Sequence, residues 1–299
     1  MILVAGATGS LGGHVIPLLI ERGLPLRLLV RDAEKSAVLE TNLIEVMEGD
    51  VRSLPALKRA MSGVGTVISA ISAFGRGAGS IRTVDWEGNR NLIRAAEAAG
   101  VEQFILVSVQ GVARDHPIEL FRMKYLAEQE LMASKLSWTI LRSTPNVETW
   151  ATILGQPLLE KGKTMVFGRG QNPINFVSAR DVARFVVLAV VDPALRGEVI
   201  EVGGPQNLTV SQFLRIFEAQ TGASGTESHV PRVALRVASR LLQPIKPMLA
   251  QQIRAAYVMD TTDMTFDPSE TVRLYPALVP TPLAEVLAQD YPRGPNATA

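Results

Sequence analysis

Apolar positions along the chain change period in a regular alternation. Met1 to Ala5 (MILVA) is a short unbroken apolar run of the length of a buried strand. Leu11, Val15, Leu18 and Leu19 then recur at helical spacing, with Gly23 placed to end the helix. Pro17 inside that helix removes a hydrogen bond and crowds the carbonyl of Gly13, which predicts a local bend. Further strand-like runs follow at Leu26 to Val30, Leu43 to Met47, Thr66 to Ala70, Val101 to Ser108 and Trp138 to Arg142. Helical stretches separate them. The clearest is Asp85 to Gly100, where Leu92, Ala95, Ala96 and Ala99 share a face. Strand and helix in alternation predict an α/β fold, a doubly wound parallel sheet with helices on both faces.

Beyond Arg142 the pattern loosens. Val147 to Gly170 reads as a helix and a short hairpin, and Asn175 to Val191 as a short strand and a helix with Asp181 as its helix-start acid. Glu198 to Gly203 reads as a strand, Ser211 as the cap of a helix reaching Gly222, and Ala223 to Pro231 as a loop. Val233 to Tyr257 alternates apolar and basic residues at helical spacing, interrupted by Pro244 and Pro247. It suits the wall of a substrate pocket or a plain amphipathic cover over core. The expected division is a dinucleotide domain at 1–146 and a small C-terminal substrate-capping lobe at 147–299, with 175–191 packing back on the sheet. The tail Arg293 to Ala299 reads as disordered.

Composition narrows the function classes. No apolar run reaches the roughly 18 residues of a membrane span. With a strand expected from Met1, no leader is expected ahead of it. A net charge of +1, with charges scattered, gives no footprint for nucleic acid or an anionic membrane. The chain has no cysteine, which excludes disulfides and thiolate chemistry and is compatible with a reducing cytoplasm. His14, His116 and His229 lie far apart without ligand spacing, so no metal site is expected.

The candidate chemistry starts between the first strand and the first helix. Gly6-Ala-Thr8-Gly9-Ser10-Leu11-Gly12 is a glycine-rich turn leading into a helix, the arrangement that receives a dinucleotide pyrophosphate. Helix N–H groups and the positive dipole end attract phosphate, and glycine lets it approach the backbone. The end of the second strand reads the ribose. There Arg31 precedes Asp32, with Lys35 one turn on, which favours the 2′-phosphate of NADP(H) and leaves NAD(H) possible if Asp32 turns inward. Ala70, Ile71 and Ser72 follow the fourth strand and should lie under the pyrophosphate and ribose. The glycine-dense loop Phe74 to Ser80 reads as a lid over the nicotinamide end. The turn Ser143 to Asn146, with Pro145, should meet the carboxamide.

The G-x-x-G-x-x-G spacing resembles the short-chain dehydrogenase/reductase superfamily. Lys124-Tyr-Leu-Ala-Glu128 through Ser134, then Leu136 to Arg142, resembles its NmrA-like atypical group. That group holds isoflavone, benzylic ether and quinone reductases, redox-sensing regulators and complex-assembly proteins. The resemblance implies that Asp50 accepts from the adenine amine while Val51 packs on the ring, although an Asx-type turn also explains Asp50. It also implies that Ser108 borders the cofactor, with the catalytic serine position falling on Val109. The usual Tyr-x-x-x-Lys pair is broken, because Leu120 stands four residues before Lys124. Lys124 is then the implied catalytic residue, holding the nicotinamide ribose and serving proton transfer. A surface pair with Glu128 is the plainer reading. The sequence thus predicts an NADPH-dependent reductase of a small electron-poor acceptor. Its rival is an NADP(H)-sensing regulator or assembly factor with a protein partner.

Overall fold

A computed structural model of the chain describes residues 1–36, 41–74 and 79–292, without the side chains of Lys35 and Met248. The expected lid loop falls largely outside the described residues, and the expected disordered tail falls wholly outside them. The chain divides into two units, Met1–Ser143 with Ala179–Glu201, and Thr144–Ser178 with Val202–Ala299.

The first unit is built on a seven-strand parallel sheet. Its strands are β1 (Ile2–Ala5), β2 (Leu26–Val30), β3 (Ile44–Glu48), β4 (Thr66–Ser69), β5 (Gln103–Val109) and β6 (Ser137–Ser143), in the order 3-2-1-4-5-6, with Val199–Val202 beside β6. β1 lies between β2 and β4, in register Ile2 to Leu26 and Ile2 to Thr66. All four of its residues are buried, which is why an unbroken apolar run serves there instead of an alternating one. The helix Ser10–Ile20 packs on Ala179–Val191 over one face. Leu57, Leu92, Ala96, Ala127 and Leu131, from three other helices, join one core with Leu3, Val67 and Phe104 of the sheet. The strand order reverses between β1 and β4, so their carboxyl ends frame a crevice.

Several boundaries differ from expectation. The segment that returns to the first unit is Ala179–Glu201 where 175–191 was expected: Asn175 to Ser178 stay with the second unit, and Val199–Val202 lies beside β6. Ile140 N donates to Glu198 O at 3.0 Å. Pro17 lies inside the helix Ser10–Ile20, as expected. The buried helix of Asp85 begins earlier, as a π-turn over Arg82–Gly88 continuing into Asn89–Ala98.

The second unit holds two small sheets among short helices. Lys163–Phe167 pairs in parallel with Thr226–Val230, so there is no hairpin at 147–170 and the expected loop at 223–231 contains a strand. Ile174–Asn175 pairs with Asn207–Leu208 in antiparallel fashion. The helix Val210–Thr221 is capped by Thr209, not Ser211. Thr209 Oγ1 accepts from Gln212 N at 3.1 Å while Gln212 Oε1 accepts from Thr209 N at 2.8 Å. Buried Asn175 ties the unit together, bonding Thr144, Gly204 and Asn207.

Candidate functional site

The three glycines of the first turn have three different causes. Gly6 has φ +93°, and a Cβ there would lie 2.5 Å from Ala70 O, so glycine lets β1 and β4 close together at the switch point. A Cβ on Gly12 would collide with the carbonyls of Gly6 and Ala7, so that glycine serves the turn's own packing. Gly9 is different. Its φ of −81° suits any residue, and a Cβ there would meet only Gly6 O, at 3.2 Å. The chain itself asks for glycine less strongly there than at Gly6 or Gly12, and the position is open to close approach of a bound group.

Gly9 is also the cap of the helix Ser10–Ile20 and supplies no side chain to it. The first intrahelical bond runs from Gly13 N to Gly9 O at 3.0 Å, so the N–H groups of Ser10, Leu11 and Gly12 precede the ladder. Thr8 is exposed and Ser10 half-buried beside them, whereas Leu11 is buried. Donors at an open helix end with no capping side chain fit a pyrophosphate.

Arg31 is exposed at the end of β2. Its charge reaches Asp50, adding to the interactions that hold that carboxyl below the ordinary range. The largest of these is the bond from Arg52. Asp50 Oδ1 accepts from Arg52 N at 2.8 Å and Nε at 2.9 Å, and Oδ2 accepts from Nη2 at 2.6 Å. The Asx-type turn weighed for Asp50 is therefore present, reinforced by an ion pair. Val51 is fixed next to it, with its carbonyl accepting from Asn91 Nδ2 at 3.0 Å. Val51 and Ile71 both lie against Gly88, where a Cβ would meet Val51 at 2.7 Å and Ile71 at 3.3 Å. Gly6, Ala70, Ile71 and Val51 thus form one continuous wall. Ser72 Oγ accepts from Phe74 N at 3.2 Å. Ser108 is buried at the end of β5, and its hydroxyl has no hydrogen-bond partner among the described residues.

Lys124 is the least expected of these residues in its surroundings. Only 3% exposed, its ammonium donates to Ile71 O at 2.9 Å and Val107 O at 3.1 Å, and lies 3.4 Å from Asp85 Oδ1. Two of its N–H bonds are thus used on carbonyls, and the Asp85 contact is an ion pair. The surface pair with Glu128 does not form, since Glu128 is itself buried and held by Arg142 at 2.7 and 3.1 Å. Asp85 is fully buried, and burial pushes its carboxyl above the ordinary range. The Lys124 charge and the Ala73 N–H, which donates at 3.0 Å, pull it part of the way back.

Asp85 and Asn89 are buried polar residues beside this site that the sequence reading did not single out. Asn89 accepts from Ser69 Oγ at 2.6 Å and donates to Asp85 O at 2.7 Å, which fastens the π-turn to β4. The signal was available, since positions 85, 89, 92 and 96 follow one helical stripe, and an acid on a buried stripe requires a cation. Pro145 belongs to the second unit, where its carbonyl accepts from Val177 N at 3.0 Å. Among the described residues no cluster of His, Asp or Glu could hold a metal ion.

Sheet order, glycine turn and helix end together define a Rossmann-type dinucleotide-binding protein. A family model described as NAD(P)H-binding matches residues 6–193, and the chain belongs to that family. The resemblance to the NmrA-like atypical short-chain group fits this membership. The chain is 30% identical over 236 residues to "Photosystem II assembly factor Ycf39" of Synechocystis sp., covering 79% of this chain and 72% of that protein. It is 30% identical over 222 residues to "NAD(P)H azoreductase" of Xenophilus azovorans, covering 74% of each. Among solved structures, the NADPH-dependent quinone oxidoreductase of Escherichia coli, crystallised with NADPH, superposes with a TM-score of 0.76 at 24% identity. It spans 97% of this chain and 100% of that one, and shows a shared fold.

Proposed function

We propose that the chain is an NADPH-dependent reductase whose acceptor is a quinone, an enone or a similar small electron-poor molecule. The observation that carries this reading is the state of Lys124. With Leu120 in the tyrosine position, the Lys124 ammonium is buried and already engaged by Ile71 O, Val107 O and the Asp85 carboxylate, so it does not face an acceptor as a free acid. Bound NADPH supplies a hydride. The chain's own part is to hold the dinucleotide on the Gly6–Gly12 turn and to fix Ile71 and Ser72 beside it. Lys124 then acts as a positioning residue, bridging the ends of β4 and β5. An acceptor that becomes a stabilised anion on taking the hydride, such as a hydroquinone monoanion or an enolate, takes its proton from water. A simple ketone, which would give a poorly stabilised alkoxide, needs a positioned acid.

Single-turnover oxidation of NADPH tests this with quinones, enones and azo dyes against simple ketones. Oxidation well above the no-acceptor rate by the first group, and not by ketones, is expected. The likeness to a photosystem assembly factor favours a second reading, a cytoplasmic NADP(H)-binding factor that acts through a protein partner. Background rates across the whole panel, with tight NADPH binding retained, would select it.

Arg31 carries the preference for the phosphorylated cofactor. NADPH is expected to bind more tightly than NADH. Arg31→Ala should weaken NADPH by about 1–3 kcal/mol, the scale of a charge-assisted bond, and leave NADH nearly unchanged. Calorimetric titration of both cofactors decides this, and equal affinities in the parent protein would remove the assignment. Lys35 shares this proposed role, although its side chain lies outside the described residues.

A further inference from the structure

Large apolar side chains are exposed unevenly over the described residues. Five of them, Val233, Val237, Leu241, Ile245 and Leu249, fall within one short stretch of the second unit. Val233, Leu241 and Ile245 are 75%, 67% and 73% exposed. The first three recur every fourth residue along the helix Arg232–Leu242, so they form a single stripe. Leu235, on the opposite side of that helix, is buried, and the helix packs on its neighbour Pro247–Met259. The stripe continues past the helix end through Ile245, between Pro244 and Pro247.

Charge is segregated along the same stretch. Ser228 to Met259 contains Arg232, Arg236, Arg240, Lys246 and Arg254 and no Asp or Glu. The whole chain has a net charge of +1, so the remainder is net negative and masks this basic segment. Arg232 is committed internally, with its guanidinium on the Asp260 carboxylate and carbonyl. Arg236, Arg240, Lys246 and Arg254 are exposed. At about 100° per residue, Arg236 and Arg240 run along one edge of the Val233-Val237-Leu241 stripe. An apolar stripe with a cationic edge, on a helix whose other side packs through Leu235 on Pro247–Met259, is the arrangement of an interfacial helix lying flat on a bilayer.

We infer that this surface docks on an anionic lipid bilayer, with Val237, Leu241 and Ile245 entering the headgroup boundary and Arg236, Arg240 and Lys246 facing lipid phosphates. Charge selects this occupant. A second copy packed antiparallel in a two-fold contact would bring the Arg236 and Arg240 edges together with no acid in the segment to compensate. A nucleic acid would leave the apolar stripe in water. No helix among the described residues is long and apolar enough to cross a membrane, so the association would be peripheral.

Co-sedimentation of the full chain with vesicles tests this, using phosphatidylcholine alone and an equal mixture of phosphatidylcholine and phosphatidylglycerol. Binding is expected to the mixed vesicles, weakening as salt is raised, with little binding to the neutral ones. Leu241→Glu and the pair Arg236→Glu and Arg240→Glu should each weaken it by about tenfold or more. All three positions are exposed, so circular dichroism should show unchanged folding. The proposal is overturned by equal binding to both vesicles or by variants that bind like the parent. It is equally overturned if mixed vesicles are ignored while sedimentation equilibrium shows self-association that Leu241→Glu abolishes, or while an acidic protein partner is bound instead. None of these readouts depends on the reductase activity, so either proposal can fail alone.

Discussion

Lys124→Met is expected to lower the unfolding free energy by about 3–5 kcal/mol, the cost of leaving one member of a buried ion pair unmatched. The variant strands the fully buried Asp85 carboxyl and removes donors from Ile71 O and Val107 O. Denaturant unfolding measures the loss, and adding Asp85→Asn to the variant should recover a substantial part of it. The loss should also depend on pH. Burial already raises the Asp85 carboxyl, and Lys124 is the first of the groups that restrain it, so removing Lys124 raises it further. A carboxyl raised on folding holds a proton that the unfolded chain releases. Its contribution is therefore greatest at acid pH and is lost as pH climbs from the ordinary carboxylate value through the raised one. Parent and variant should lie closest in acid and diverge toward neutrality. A loss under about 1 kcal/mol, or a gap independent of pH, would show that the pair does not carry this strain.

Gly9→Val should weaken NADPH by about 100-fold or more, roughly 2.7 kcal/mol, while leaving the chain folded. The backbone at Gly9 is extended and a Cβ there would meet Gly6 O alone, at 3.2 Å, so the substitution asks for a small shift of that carbonyl and puts bulk where phosphates would approach. Gly12→Val provides the contrast. Its Cβ would run into the Gly6 and Ala7 carbonyls, so that variant should lose stability as well as binding. Calorimetry with NADPH, beside circular dichroism, separates the two cases. Retained affinity in Gly9→Val would place the phosphates elsewhere.

What the sequence reveals follows the period of its apolar residues. β1 to β6 are legible because each carries an apolar run or an apolar alternation bounded by turn residues, and Leu26–Val30 is read without error. Thr226–Val230 is not legible, because TESHV has no apolar face and its strand exists only through a partner some sixty residues earlier. The phosphate turn is legible through its glycines. The Asp85–Lys124 pair was missed for a physical reason: each residue sits on the apolar stripe of its own helix, and only the fold brings the two stripes together. Asp50 shows the reverse. The sequence offers it as a ligand, while its nearest cation, Arg52, lies two residues away and binds it first.

The interrupted course of the first unit bears on how the chain folds. Its sheet is completed by Val199–Val202 and the helix Ser10–Ile20 is covered by Ala179–Val191, both of which follow a long excursion into the second unit. During synthesis, β6 must therefore wait as an open edge with unpaired backbone groups until more than fifty further residues have emerged. Such long-range closure slows folding and exposes that edge to mispairing. The two units are accordingly interleaved in time as well as in sequence. A chain stopped after Ser143 would keep the phosphate turn but lack both the edge strand and the helix that finish the sheet beneath it.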